Sequence, residues 1–199
     1  MPTVVEYANE YAARLTGLQH ARWKQLLDVQ RPYRWNLNRL CEGDVLDIGC
    51  GIGRNLRNLA GRSVGVDTNH AAVDVAVRQG LPAFTMEEWA DSAFARPHAF
   101  GTLLLSHVLE HLTFADAHDV ITAYLPYVRP GGLVVIECPQ EVGYRSDATH
   151  VRWVDHVEIR RQCSALGLTV ERQSSFPFPR AFGRAFVYNQ FETVARVPV

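Results

Sequence analysis

The sequence predicts an α/β fold: one doubly wound, mostly parallel sheet of seven strands that ends in an antiparallel C-terminal hairpin, preceded by helices. Three observations carry this expectation. Short apolar runs alternate with amphipathic stretches from residue 44 to residue 166, the pattern of strands joined by helical crossovers. The run Phe100-Gly101-Thr102-Leu103-Leu104-Leu105-Ser106 is almost wholly apolar, as a central strand buried on both faces must be. The last two apolar runs have no helix between them, so they pair antiparallel, since parallel neighbours need a crossover.

Residues 1–43 read as helical. Val4, Ala8, Tyr11, Leu15 and Leu18 recur at helical spacing, interrupted at Gly17, and a second amphipathic stretch runs through Trp23, Leu26, Leu27 and Val29 until Pro32. From there strands are expected over 44–48, 63–67, 81–84, 100–106, 131–137, 168–173 and 185–197. Helices are expected over 54–60, 71–79, 115–125 and 157–166. Gly80 stops the second of these, and the turn Arg129-Pro130-Gly131-Gly132 leads into the fifth strand. Asp155 and Glu158 form a capping box for the last helix, which Gly167 closes. Residues 138–155 are polar and irregular, too long for a plain connection, and are read as a lid or binding loop.

Composition narrows the function. With 199 residues the chain fits one domain with a sizeable core. Lys and Arg number 20 against 21 Asp and Glu, so no basic excess marks a nucleic-acid binder. No apolar run is long enough to span a bilayer, and Met1-Pro2-Thr3 opens a polar segment rather than a signal peptide. Cys41, Cys50, Cys138 and Cys163 form no CxxC pair, which suggests neither a zinc site nor a disulfide framework and fits a reducing cytoplasm.

The chemistry concentrates at Val45-Leu46-Asp47-Ile48-Gly49-Cys50-Gly51-Ile52-Gly53-Arg54-Asn55. Glycines behind a strand let backbone approach a ligand closely. A P-loop requires GxxxxGK[ST], and neither Lys nor Ser/Thr follows here. The dinucleotide fingerprint is GxGxxG, whereas this run is GxGxG with an acid two residues before it. Asp47 would repel a pyrophosphate but suits a ligand carrying an ammonium or sulfonium. Asp67, twenty residues on, ends the second strand, where a carboxylate accepts hydrogen bonds from ribose hydroxyls.

These features together resemble the class I S-adenosylmethionine (SAM)-dependent methyltransferases, whose Rossmann-like core would span 44–199. "SHVLEHL" after the fourth strand and "RPGG" before the fifth occur in that family's order. The resemblance implies that Asp47, Gly49, Gly51 and Asn55 lie under the amino-acid part of SAM and that Asp67 and Thr68 hold the ribose. It places Met86 and Glu87 at the adenine, although both also read as an ordinary helix start. Ser106 and His107 would lie beside the sulfonium. Tyr33 or Arg34, in a helical lid over 1–43, would meet the donor carboxylate, or this region is dimer surface. Glu110 and His111 are either catalytic or part of the fold.

The reaction is an in-line displacement, and the acceptor must be inferred from the rest of the chain. Enzymes of this fold that methylate exocyclic amines usually carry an Asn/Asp-Pro-Pro-aromatic motif where this chain has Ser106-His107-Val108-Leu109. A hydroxyl acceptor needs a base. The segment "CPQEVGYRSDATHVRWVD" supplies His150 as that base, Asp147 to orient it or join a divalent metal such as Mg2+, and Tyr144 in a catalytic role. Tyr144, Trp153, Phe176, Phe178 and Tyr188 are candidates to stack on a sugar or to pack the core, and Arg180 and Arg184 to hold hydroxyls. "QEVGYRSDATHVRWVD" and "FPFPRAFGRAFVYNQF" resemble the sugar O-methyltransferases within the family, which implies a small oligosaccharide acceptor and a homodimer. Methylation of a lipid or quinone hydroxyl, and a non-catalytic SAM-binding regulator, are the competing readings.

Overall fold

A computed structural model describes residues 30–199, so the first expected helix and residues 23–29 of the second lie outside the described residues. The chain forms α1 (Arg31–Leu40), β1 (Val45–Ile48), α2 (Arg54–Asn58), β2 (Ser63–Asp67), α3 (His70–Arg78), β3 (Ala83–Thr85), α4 (Met86–Trp89) and β4 (Phe100–Ser106). It continues through a 3-10 turn (Leu109–His111), α5 (Phe114–Tyr124), β5 (Val128–Pro139), α6 (Glu141–Arg145), α7 (His156–Ala165), β6 (Thr169–Phe176) and β7 (Gln190–Arg196). The seven strands lie in the order β3-β2-β1-β4-β5-β7-β6. All pairs are parallel except those of β7, which runs antiparallel to both β5 and β6. This is the class I methyltransferase sheet, and the expected topology is the observed one.

Alternate residues of each strand serve two cores. On one face Leu46, Ile48, Leu103, Leu105, Val134 and Ile136 pack with Ala117 and Ile121 of α5 and Ile159 and Cys163 of α7. On the other, Val45, Leu104, Val135 and Val194 meet Leu37, Leu40 and Cys41 at the end of α1. Every residue of β4 is buried, as its apolar run requires. Leu105→Ala should therefore cost about 2–5 kcal/mol, read from the urea midpoint, because a fully packed site collapses poorly around a cavity.

Several boundaries differ from the sequence reading. Pro32 stands in the first turn of α1, where a proline forfeits only an N–H that has no intrahelical partner. Residues 138–155 are not wholly irregular: β5 runs on to Pro139, and α6 hides behind a glycine, Gly143, that periodicity penalises. Gly143 is there for close packing, because a Cβ would come within 2.6 Å of the Val187 carbonyl. Asp155 caps α7 through Val157 and Glu158 N–H, while the reciprocal capping box sits at Thr85 and Glu88 instead. All four cysteines are buried free thiols, and no helix among the described residues is long and apolar enough to cross a membrane.

Candidate functional site

The face of the sheet under α1 changes character toward the strand carboxyl ends. Asp47, Leu104, Val135 and Val194 form one cross-strand row, and the next row on that face is Ser106, Glu137 and Glu192. Period-two alternation thus carries three carboxylates inward behind apolar residues, and Asp47, Glu137 and Glu192 are each at most 6% exposed. Glu137 accepts from Ser106 Oγ at 2.6 Å and from Gln190 Nε2 at 2.8 Å. Glu192 accepts from Ser174 Oγ at 3.1 Å and from Asn36 Nδ2 of α1. Burial, then Glu137, raises the Glu192 pKa.

Asp47 differs from its neighbours, for neither oxygen has a hydrogen-bond partner of good geometry. Burial pushes its carboxyl up to about 8, with Asn55 and Arg54 opposing the rise and Glu137 and Asp67 adding to it. Its ordinary value is 3.8, so between about 4 and 8 the folded chain holds a proton that the unfolded chain has lost. The stability Asp47 contributes therefore falls as pH rises through that window. Asp47→Asn, which cannot ionise, should be more stable relative to wild type at pH 9 than at pH 4, again by urea midpoints. A buried carboxyl with other acids close by is a place where a bound cation is favoured.

The glycine turn follows β1, the strand that carries Asp47. Gly49, Gly51 and Gly53 all have positive φ, at 74°, 54° and 79°. A Cβ on Gly49 would lie 2.5 Å from Val108 and one on Gly53 2.4 Å from Leu81, whereas at Gly51 no atom lies within 4 Å. Two of the glycines thus serve packing, and Gly51 faces open space. Gly51 N–H donates to Asp67 Oδ2 at 2.7 Å, and Asn69 N–H donates to Oδ1 at 2.8 Å. Each carboxylate oxygen of Asp67 keeps a further lone pair for a hydroxyl. Thr68 is exposed beside it.

His107 follows β4 with φ 59°, a left-handed backbone in a non-glycine residue. Its Nε2 lies 3.2 Å from Gln190 Oε1 and its Nδ1 3.3 Å from Glu110 Oε1. Burial would lower the His107 pKa, but the Glu110 carboxylate outweighs it and the net shift is upward. Glu110 is fully buried and its own pKa is lowered: burial alone would raise it, and His107 more than compensates. Tyr33 reaches the same region from α1, its hydroxyl donating to the Tyr188 carbonyl at 3.3 Å and its ring edge-on to Phe176.

The loop after β5 folds back onto the 3-10 turn. Val151 and Arg152 N–H both donate to the Glu110 carbonyl, at 2.9 and 3.2 Å. His150 Nδ1 lies 2.7 Å from the Tyr144 carbonyl, which can only accept, so the neutral ring carries its proton there and leaves Nε2 bare. Tyr144 also stacks its ring on His150, with centroids 5.2 Å apart, and meets Trp153 edge-on. Asp147, expected to orient His150, instead accepts from Thr149 N–H and Oγ at 2.9 and 2.7 Å. Thr149 Oγ in turn lies 3.2 Å from His111 Nδ1, so the carboxylate steadies His111 and the peptide carbonyl steadies His150.

Other expected contacts are dispersed. Met86 and Glu87 begin α4 with both side chains largely exposed, and Glu87 lies 3.6 Å from His70. Arg180 is committed to Glu141 through two 2.7 Å bonds, and Arg184 lies 3.8 Å from the same carboxylate. Among the described residues, the group able to hold a metal does not include Asp147. Glu137, Glu192, Gln190 and Asn36 escaped the sequence reading. The signal for one was present: "GGLVVIE" ends a buried apolar run on an acid.

The class these features define is a methyltransferase. A family model described as "Methyltransferase domain" matches residues 22–173, and the chain belongs to that family. A search of curated proteins finds no match. Among solved structures, the putative methyltransferase of Haloferax volcanii, determined in complex with the Trm112 methyltransferase activator, has a TM-score of 0.70 at 20% identity, covering 99% of this chain and 98% of that one. A SAM-dependent methyltransferase from Archaeoglobus fulgidus has a TM-score of 0.64 at 17% identity, over 86% and 99% of the two chains. The N-methyltransferase NodS from Bradyrhizobium japonicum WM9 has a TM-score of 0.62 at 18% identity, over 85% and 97%. At these identities the likeness is one of fold.

Proposed function

We propose that the protein transfers the methyl group of SAM to a hydroxyl of a short mannoside. The chain resembles the sugar 1-O-methyltransferase of methylmannose polysaccharide biosynthesis, which points to the anomeric hydroxyl of a 3-O-methylated mannoside and to a homodimer. In this reading Asp47, Gly49, Gly51 and Asn55 hold the amino-acid end of the donor, and the buried acids favour its ammonium and sulfonium charges. Asp67 and Thr68 take the ribose, Met86 and Glu87 the adenine edge, and Ser106 and His107 line the sulfonium. Tyr33 closes the mouth from α1, as part of a lid formed by residues 1–43.

The acceptor class is not legible in the fold, which also serves an N-methyltransferase among the structures above. The observation that carries a hydroxyl acceptor is the bare Nε2 of His150, its proton held on Nδ1 by Tyr144, on the loop that leaves the carboxyl end of β5. As the oxygen–methyl bond forms and the sulfur–methyl bond breaks, the hydroxyl proton passes to that nitrogen, and the sulfonium becomes a neutral thioether. The exposed rings of Phe178, Phe182 and Tyr188 offer apolar surface for the face of a sugar.

Labelled SAM offered with a panel of oligomannosides and phenols tests this reading. Methyl incorporation into a 3-O-methylated mannoside, located on the anomeric oxygen by NMR, is the expected product. Incorporation into phenols alone would replace the sugar reading with the lipid or quinone one. No incorporation despite donor binding would favour the regulator.

A further inference from the structure

We infer that Glu110, His111 and His150 form a binding site for one divalent first-row transition-metal ion, such as Mn2+, Co2+ or Zn2+. One ligand atom from each of the three lies within 4.8 Å of the others. Ligands about 2.1 Å from an ion stand roughly 3.0–3.5 Å apart, so modest side-chain rotation closes the group around it. The residues come from two segments, the 3-10 turn after β4 and the loop after α6, which the two N–H bonds to the Glu110 carbonyl hold in register.

Two independent features mark this cluster as built for an ion. Each histidine has its Nδ1 engaged by an acceptor of the loop, His150 by the Tyr144 carbonyl at 2.7 Å and His111 by Thr149 oxygens at 3.2 and 3.3 Å. That fixes both tautomers with Nε2 bare, the second-sphere arrangement typical of ligating histidines. The fully buried Glu110 carboxylate has His107 Nδ1 3.3 Å from one oxygen, and neither oxygen accepts a hydrogen bond of good geometry. A desolvated carboxylate and two imidazoles, each with one nitrogen already engaged, form a donor set that a divalent cation satisfies.

The chemistry also selects the ion. Two imidazoles and one carboxylate suit a transition metal, whereas Mg2+ takes oxygen ligands almost exclusively, so the Mg2+ expected near Asp147 does not fit these residues. Three protein ligands leave coordination positions open, as in catalytic rather than structural sites. In the ion-bound protein His150 Nε2 would be a ligand in place of the base, the ion would supply the positive charge that lowers the pKa of an acceptor hydroxyl, and the proton would leave to solvent. Only this last consequence rests on the hydroxyl reading above; the binding itself does not.

The test titrates the full chain, stripped with a chelator, with MnCl2, CoCl2 and ZnCl2 by calorimetry, and follows Mn2+ by electron paramagnetic resonance. One ion per chain is expected. Glu110→Gln, His111→Gln and His150→Gln should each weaken it by about tenfold or more, a loss at least as large as that of removing an outer-sphere partner. His118→Gln, an exposed histidine of α5 outside the cluster, should bind as wild type. Circular dichroism confirms that each variant is folded. Absence of binding up to millimolar ion, or unchanged affinity in the three ligand variants, overturns the site. Binding as expected, with mannosides unmethylated in the presence and absence of ion, leaves the site standing and defeats the acceptor reading.

Discussion

His150→Ala is expected to lower turnover by about 10²–10⁴ while leaving donor affinity within about twofold. The split follows from position. His150 lies on the loop after β5, against Tyr144, His111 and the 3-10 turn, and no bond ties it to the glycine turn or to Asp67. Its side chain is half-buried on a loop, so its removal creates no core cavity, and the variant should fold. Single-turnover kinetics with labelled donor, paired with calorimetry of S-adenosylhomocysteine, separates the two quantities. Loss of donor binding in parallel with turnover would show that the loop organises the cofactor pocket instead. Unchanged turnover would remove His150 from the chemistry.

Gly51→Ala should weaken the donor by about tenfold or more, equivalent to about 1.4 kcal/mol, with a fall in melting temperature of about 2–8 °C. The added Cβ meets no protein atom within 4 Å and points into the open space beside the Asp67 carboxylate. Its backbone cost is modest, because a φ of 54° lies in the left-handed region that non-glycine residues enter for about 1–2 kcal/mol. Gly49→Ala makes the opposite pattern, since its Cβ would press to 2.5 Å from Val108 and must displace that side chain. Stability falls there first. Thermal melts and donor titrations of the two variants, side by side, distinguish a glycine that clears a ligand from one that clears a neighbour.

What the sequence made legible is local. Strand periodicity, the glycine turn and the acid ending β2 each depend on residues a few positions apart, and all three stand in the fold. Chain breaks were harder. Pro32 reads as a stop because proline disrupts helix interiors, yet it is equally at home in a first turn, and only the packing of Leu37 and Leu40 on the sheet decides. The remaining site is tertiary. Glu137 and Glu192 become a pair through the antiparallel register of β5 and β7. His111 meets Thr149 across 38 positions, so the histidine that Asp147 steadies through Thr149 could not be read from spacing, and the nearer His150 was the natural expectation.

The central claim is that the buried carboxyl of Asp47, with the acids around it, forms a seat for the cationic end of a methyl donor. Calorimetric titration with S-adenosylhomocysteine and with NAD, at pH 7 in two buffers of different ionisation enthalpy, tests it most directly. The free carboxyl, pushed up to about 8, is mostly protonated at that pH, and the ammonium that S-adenosylhomocysteine retains favours its ionised form. S-adenosylhomocysteine should bind with release of a proton, and that release should vanish in Asp47→Asn. Binding of NAD with no heat from S-adenosylhomocysteine, or donor binding that releases no proton, would contradict it.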